Sequence, residues 1–330
     1  MGAALAAAVL LAGCGGDAGE DGTAAASSSP AVADAAADGN PVIDDDFPDP
    51  DVLEVDGTYY AYATNTATLN VQVATSTDLE TWETSREDAL PELPSWVIPG
   101  KTWAPEVSRF GPDQFVMYPT TTNFDPAYQC IAVATATSPE GPFEIVGNEM
   151  LVCPAEEGGA IDAATFTDAD GSNYLLWKND GNCCGFDTWL YIAPLSADGL
   201  SLTGEPTRLI KQDQEWEDHL VEAPTLVERD GTYVLLYSAN DYGGEEYAIG
   251  YATADAVTGP YTKGEEPLFT TDASDGRYIG PGGQDVVVTP EGEDVLLFHS
   301  WYGGITYRGM NQLPLTWEDG RPVVEMADAG

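Results

Sequence analysis

The sequence predicts an all-β fold, a five-bladed β-propeller with four antiparallel strands per blade, and three observations carry that expectation. A short phrase recurs five times: an acidic or polar residue, often a Pro, a few alternating residues, an acid-Gly turn and an aromatic strand. Its clearest copy runs from Glu222-Ala223-Pro224-Thr225-Leu226 through Asp230-Gly231 to Tyr233. The copies start near residues 49, 103, 162, 222 and 283, a period of about 54 to 61 residues, as in repeat arrays of short strands. No stretch sustains a 3.6-residue apolar periodicity over the length of a major helix, so the repeats are strands and turns.

A single domain is expected. The 330 residues would suit two average domains, but repeat arrays commonly use such a length as one. With 43% hydrophobic residues, including 16 Tyr, 9 Phe and 8 Trp, the chain has the apolar bulk for a large core and does not belong to the disordered class. Against 11 Lys and Arg stand 56 Asp and Glu, and the net charge of −45 repels phosphate backbones and anionic headgroups. Nucleic acid is therefore not an expected partner. The acids are scattered through turns and exposed strand positions, which reads as a solvated surface rather than a cation store.

Taken in order, residues 1–13 read as a lipoprotein signal peptide. The first ten residues are almost wholly apolar yet too few to span a bilayer, and Leu11-Ala12-Gly13-Cys14 resembles the lipobox at which bacterial lipoproteins are cut and acylated. One feature of such signals is missing, because the first basic residue is Arg86. Residues 14–40, an acylated Cys14 followed mainly by Ala, Gly, Ser and Asp without an aromatic, read as a disordered tether. Residues 41–330 make up the propeller. The expected setting is extracellular, as a monomeric lipoprotein on a bacterial cell surface, with membrane contact only through the anchor at Cys14.

The remaining cysteines, Cys130, Cys153, Cys183 and Cys184, are even in number, and an oxidising compartment favours disulfides. A metal site is disfavoured in a chain with no C-x-x-C and two His. Three pairings are open. Cys130 and Cys153 flank two strands joined by Pro139-Glu140-Gly141-Pro142, which suggests Cys130–Cys153 and leaves Cys183–Cys184 as a vicinal bridge.

Blade one opens Asp49-Pro50-Asp51-Val52 and turns at Asp56-Gly57, and blade two opens Trp103-Ala104-Pro105-Glu106-Val107 and turns at Gly111-Pro112. Blade three begins Ile161-Asp162-Ala163-Ala164, blade four is the copy at Glu222, and blade five begins Gly282-Gly283-Gln284-Asp285. A second half also recurs: residues 71–76, 131–137 and 248–254 each precede a turn, the last two closing on Gly-Pro-aromatic, with a looser version at 189–195. In a propeller the start of each inner strand opens at one mouth of the central channel, so the five starts converge.

Three of those starts carry a carboxylate: Asp49, Asp162 and Glu222. Carboxylates and an aromatic at the mouth of a channel are the equipment for cleaving a glycosidic bond, in which one carboxyl protonates the leaving oxygen and another activates water. An acid before Pro is, taken singly, an ordinary turn former; three at corresponding places in a repeat weigh against that. Trp103 and Phe47 suit either stacking on a sugar ring or burial between blades. His299, in Phe298-His299-Ser300-Trp301, is a candidate metal ligand or a satisfied core histidine, and His219 reads as structural. Arg308 is either a sugar-holding cation or one half of an ion pair.

Phe47-Pro48-Asp49-Pro50-Asp51, Trp103-Ala104-Pro105-Glu106, Ile161-Asp162-Ala163, Glu222-Ala223-Pro224 and Gly280-Pro281-Gly282-Gly283-Gln284, in this order, resemble glycoside hydrolase family 43 over about residues 41 to 325. The resemblance implies a five-bladed propeller and hydrolysis with inversion, with Asp49 as general base, Glu222 as general acid, and Asp162 orienting the acid and raising its pKa. It implies no required cofactor, although relatives place a His after Gly-Pro-Gly to bind an ion. Here Gly283 and Gln284 stand instead; Gln284 is expected at the sugar, and a Ca or other cation in the channel would fall to His299. The phrase at residues 176–185, with Gly-Gly-Gln and His-Ser-Trp, looks most like members acting on α-L-arabinofuranosyl linkages of arabinan or arabinoxylan, including exo-acting ones. A β-xylosidase or galactan-active hydrolase shares the triad. A non-catalytic sugar-binding propeller would have no need of all three carboxylates.

Overall fold

A computed structural model describes residues 39–125 and 127–326; the expected signal peptide, Cys14 and most of the tether lie outside the described residues. Five antiparallel sheets follow one another along the chain as the blades of a propeller. Their inner strands begin at Asp51–Val55, Val97–Gly111, Ala160–Thr167, Val221–Arg229 and Ile279–Val288. Each blade has four antiparallel strands in sequence order. In blade two the third is split into Gln129–Ile131 and Ala134–Ala136, both paired to Gln114–Asn123. No described helix is long and apolar enough to cross a membrane.

Local chemistry sets the hairpins. Asp56-Gly57 and Asp230-Gly231 join strands whose registers close at Val55 with Thr58 and Arg229 with Thr232. All four turn residues have positive φ, from 52° to 86°. Such turns twist with the strands they join, and Asp-Gly is a sequence that tolerates them. Five buried apolar clusters fill the five seams between blades, for example Leu236, Ile249, Leu296, Phe298 and Leu313 between blades four and five. Closure comes from the segment before blade one, where Val42 and Phe47 donate backbone N–H groups to the carbonyls of Met310 and Arg308 in blade five. Phe47 is 1% exposed in this seam among Ile43, Val52, Leu297 and Met310. Burial in the closing seam, not a sugar platform, is therefore its place.

At corresponding places on or just before the inner strands, one residue of each blade is in the left-handed region: Asp49 (φ 56°), Ala104 (38°), Asp162 (54°), Ala223 (48°) and Gly283 (56°). In blades two to five the pairing with the next strand slips there. A bulge of this kind re-aims side chains, and left-handed backbone in non-glycine residues costs on the order of 1–3 kcal/mol each. The alignment corrects the expected equivalence of the three acids. Asp49 and Asp162 sit on the bulge, whereas Glu222 precedes it and corresponds to Trp103 and Ile161.

Two residues past each bulge is a second layer that locks consecutive blades together. Asp51 accepts the Val107 N–H (2.9 Å), Glu106 that of Thr165 (3.0 Å) and Asp285 that of Val52 (2.9 Å), while the Thr225 hydroxyl donates to the Gln284 carbonyl (2.7 Å). The fifth seam is tied from the bulge itself, by Asp162 accepting from Ala223 N–H at 3.0 Å. Burial, then the Glu106 charge, pushes Asp285 up to about 7, and burial with Glu106 and Asp285 raises Asp51 well above the carboxylate range.

Both groups keep protons in the folded chain at pH values where an unfolded carboxyl has lost them. Their contribution to stability is complete below about pH 4 and is lost as pH rises through about 7. Urea midpoints measured from pH 4 to 8 are expected to fall, and the fall is shallower in Asp285→Asn, whose amide oxygen still accepts from Val52. Parallel profiles for the two proteins would refute this.

Candidate active site

Above the latch layer the inner-strand starts and the loops of all five blades enclose a cavity of about 370 Å³. Asp49, Asp162 and Glu222 all line it, together with Trp103, Lys178, Asp180, Tyr247 and Arg308. The three carboxylates foreseen at the channel mouth are thus brought together, and each has a distinct set of partners.

Asp49 is held from every side. Its N–H donates to His299 Nδ1 (3.1 Å), Thr64 Oγ1 donates to Oδ2 (2.6 Å), and Arg308 Nη1 reaches Oδ1 at 3.4 Å. Burial works to raise its pKa, but Arg308, His299 and the Thr64 hydrogen bond prevail and hold it below the ordinary value. Arg308 outweighs His299 in this, because burial and Arg308 push the His299 pKa down to about 3 and leave the ring neutral at working pH. Asp49 is consequently an ionised acceptor. Gly283 makes room for it: a Cβ there would lie 2.6 Å from His299 Nδ1 and 2.9 Å from Asp49 Oδ1.

Glu222 has both oxygens engaged. Lys178 Nζ donates to Oε2 and Tyr247 Oη to Oε1, each at 2.9 Å. Tyr247 also stacks on the His299 ring, with centroids 5.8 Å apart, which links the surroundings of Glu222 to those of Asp49. Asp162, whose N–H donates to Thr120 Oγ1 and whose Oδ2 accepts from Ala223, is pushed up to about 8. Burial is the largest cause and the Glu222 charge the next, opposed by Lys178. Near neutral pH Asp162, beside Glu222, therefore retains a proton, while Asp49 does not. An ionised carboxylate and a proton-holding one lining the same pocket give the division of labour that acid–base cleavage of a glycosidic bond requires.

Of the other expected contacts, Trp103 lines the cavity, as does Arg308, whose guanidinium lies 4.9 Å from the Tyr242 ring and 5.7 Å from that of Trp301. Gln284 is displaced from its expected role. It is 4% exposed, accepts from Ser238 Oγ at 2.7 Å and donates to the Ala223 carbonyl, so it braces the bulge beneath Glu222. Its carbonyl faces blade four because the blade-five bulge falls on Gly283, one residue earlier. His219 lines the cavity with its ring at the surface, paired to Asp218 at 2.6 Å. His299 is fully buried; Nδ1 is taken by Asp49 and Nε2 has no hydrogen-bond partner. One orphaned nitrogen is a single donor, and among the described residues no three His, Cys, Asp or Glu side chains converge as metal ligands. Among the described residues, His299 is therefore not part of a cation-binding cluster.

The disulfides Cys130–Cys153 and Cys183–Cys184 are both formed. They brace one edge of the mouth, where Gln129 and Asn182, each beside a bridged cysteine, line the cavity. Lys178, Tyr247 and Thr64 were not foreseen. The signal for Lys178 was a charge directly after the apolar run Leu175-Leu176-Trp177, in a chain with few cations.

A family model described as "Glycosyl hydrolases family 43" matches residues 39–322. A β-D-galactofuranosidase, xynD, from Aspergillus niger is 29% identical over 82% of this chain and 78% of its own length. A probable arabinan endo-1,5-α-L-arabinosidase A from Aspergillus flavus is 27% identical over 76% of this chain and 81% of its own. Among solved structures, a thermostable family-43 glycoside hydrolase superposes with a TM-score of 0.73 at 30% identity, covering 86% of this chain and 94% of that one.

Proposed function

The chain belongs to glycosyl hydrolases family 43, and within that family of glycoside hydrolases we propose an inverting, extracellular enzyme that releases α-L-arabinofuranosyl units from the ends of arabinan or arabinoxylan chains. The observation that carries the reading is the cavity where an ionised Asp49 faces Glu222 and a proton-holding Asp162. In the proposed reaction Asp49 takes a proton from water as it attacks the anomeric carbon. Glu222 protonates the leaving oxygen as the glycosidic bond breaks, and Asp162 keeps the Glu222 side of the site proton-rich. A cavity of about 370 Å³, at the small end for ligand pockets, favours a terminal sugar and part of its neighbour over a long chain. The two disulfides support action outside the cytoplasm.

The sugar is argued from ring chemistry. One relative is named for β-D-galactofuranose and another for α-L-arabinan. The α-L-arabinofuranosyl and β-D-galactofuranosyl rings share their configuration and differ by one exocyclic carbon, so a pocket shaped for one is a near fit to the other. That makes β-D-galactofuranoside the second reading, ahead of β-xyloside. The test is a panel of 4-nitrophenyl α-L-arabinofuranoside, β-D-galactofuranoside and β-D-xylopyranoside together with linear arabinan, followed by NMR of the first-formed anomer. Arabinofuranoside is expected to give the highest kcat/KM, with arabinose as the sole early product and its anomeric configuration inverted. Preference for xyloside, or release of the retained anomer, would overturn the reading.

A further inference from the structure

We infer that Lys178 is a positioning residue for the acid: its ammonium holds Glu222 Oε2 and stabilises the carboxylate left when the Glu222 proton passes to the leaving oxygen. The inference rests on the reading of Glu222 as general acid and goes beyond it, since the two carboxyls and Asp162 would complete the reaction without a cation at this place.

The geometry argues for more than a structural ion pair. Lys178 is 0% exposed on Asn173–Asn179 of blade three, and its Nζ is 2.9 Å from Glu222 Oε2 of blade four and 4.0 Å from Asp180 Oδ1. Burying an ammonium is costly and is tolerated only with close counter-charges. The leading counter-charge is Glu222, and with the weaker influence of Asp162 and Asp180 it overcomes burial and holds the lysine pKa above its ordinary value. The groups facing Glu222 are thus Lys178 and Tyr247 by direct contact and Asp162 and Asp180 through their charge. Two of these four are carboxyls, one of them the proton-holding Asp162, so without Lys178 the negative charge that appears on Glu222 in the transition state would meet one phenol, a neutral carboxyl and the like charge of Asp180. Lys178 also lines the cavity, whereas a lysine serving the fold alone would have no reason to border the pocket. Asp49 has its own cation in Arg308, so each reacting carboxylate is matched to one positive charge.

In the step itself the bond between the anomeric carbon and the leaving oxygen breaks, that oxygen takes the Glu222 proton, and the water attacking the carbon gives its proton to Asp49. The share of Lys178 grows with the proton demand of the leaving group. Methyl and 2,4-dinitrophenyl α-L-arabinofuranosides therefore separate its role from general support. Lys178→Met is expected to lose roughly tenfold to a hundredfold in kcat on the methyl glycoside, a fraction of the range for acid catalysis, and less than about threefold on the dinitrophenyl glycoside. Glu222→Gln with Lys178→Met is expected to be no slower than Glu222→Gln alone, because the second change removes help to a group already gone. Should Lys178→Met fold poorly, Lys178→Met with Asp180→Asn keeps the local charge balanced and is compared with Asp180→Asn for the same split. Equal losses on both leaving groups, or additive losses in the double variant, would overturn the role of Lys178 alone. A full rate on the methyl glycoside in Glu222→Gln would overturn the acid assignment and this inference with it.

Discussion

Asp49→Asn is expected to lower kcat on an unactivated arabinofuranoside by on the order of 10³- to 10⁴-fold, with KM changed little, since the loss falls on proton transfer rather than on binding. The amide keeps an oxygen to accept the Thr64 hydroxyl, and the Asp49 N–H still meets His299, so the bulge and the closing seam survive. What is lost is the anion. Arg308 and the other donors hold Asp49 ionised well into acid, and the acidic limb of the wild-type kcat/KM profile should accordingly lie below the usual carboxylate range. The leaving-group dependence should be flat in this variant, because an activated leaving group does nothing for a missing base. Rate profiles on methyl and dinitrophenyl glycosides from pH 3 to 8 measure both features; a loss of less than tenfold on the methyl glycoside would remove Asp49 from the base role.

How far the residues spoke for themselves can be judged from particular positions. Blade number and the inner-strand starts were legible because turn chemistry is local: Asp56-Gly57 and Asp230-Gly231 mark hairpins without help from the rest of the chain. The offset of Glu222 was also present, in its prolines. Asp49 directly precedes Pro50, whereas Glu222 stands two before Pro224, as Trp103 does before Pro105. Read on the proline, Ala223 corresponds to Asp49, as the positive φ values of both residues show. Phe47 and Gln284 could not be placed from sequence, because an aromatic or an amide beside a channel is equally at home in a seam. Lys178 lies on the second strand of blade three and Tyr247 just before the third strand of blade four, and only the packing of blade four on blade three and the folding of blade four itself bring them to Glu222. The latch residues Asp51, Glu106 and Asp285 show a further ambiguity of the repeat. An acid two residues past the bulge ties seams together, and one at the bulge or before it faces the pocket.

That ambiguity makes Glu222→Gln the sharper test of the whole assignment. Gln is close in shape to Glu, and its contacts can be kept. Its oxygen can accept from Lys178 while its amide donates to Tyr247, whose hydroxyl is able to reverse direction. The fold and sugar binding should persist, with the melting midpoint within a few degrees of wild type. Catalysis should not. The variant has no proton to give, so kcat on the methyl glycoside is expected to fall by on the order of 10²- to 10⁴-fold, while the dinitrophenyl glycoside, whose leaving group needs no proton, falls by less than about tenfold. The substitution also removes the charge that, after burial, does most to raise Asp162, and leaves Lys178 opposing burial; Asp162 should then titrate below about 8. A carboxyl ¹³C titration of the wild type and variant reads that change directly. If Asp162 moves but the methyl glycoside is cleaved at the normal rate, Glu222 is a charge partner and not the acid. A large loss confined to the methyl glycoside, with Asp162 shifted down, is the pattern that general acid catalysis by Glu222 demands.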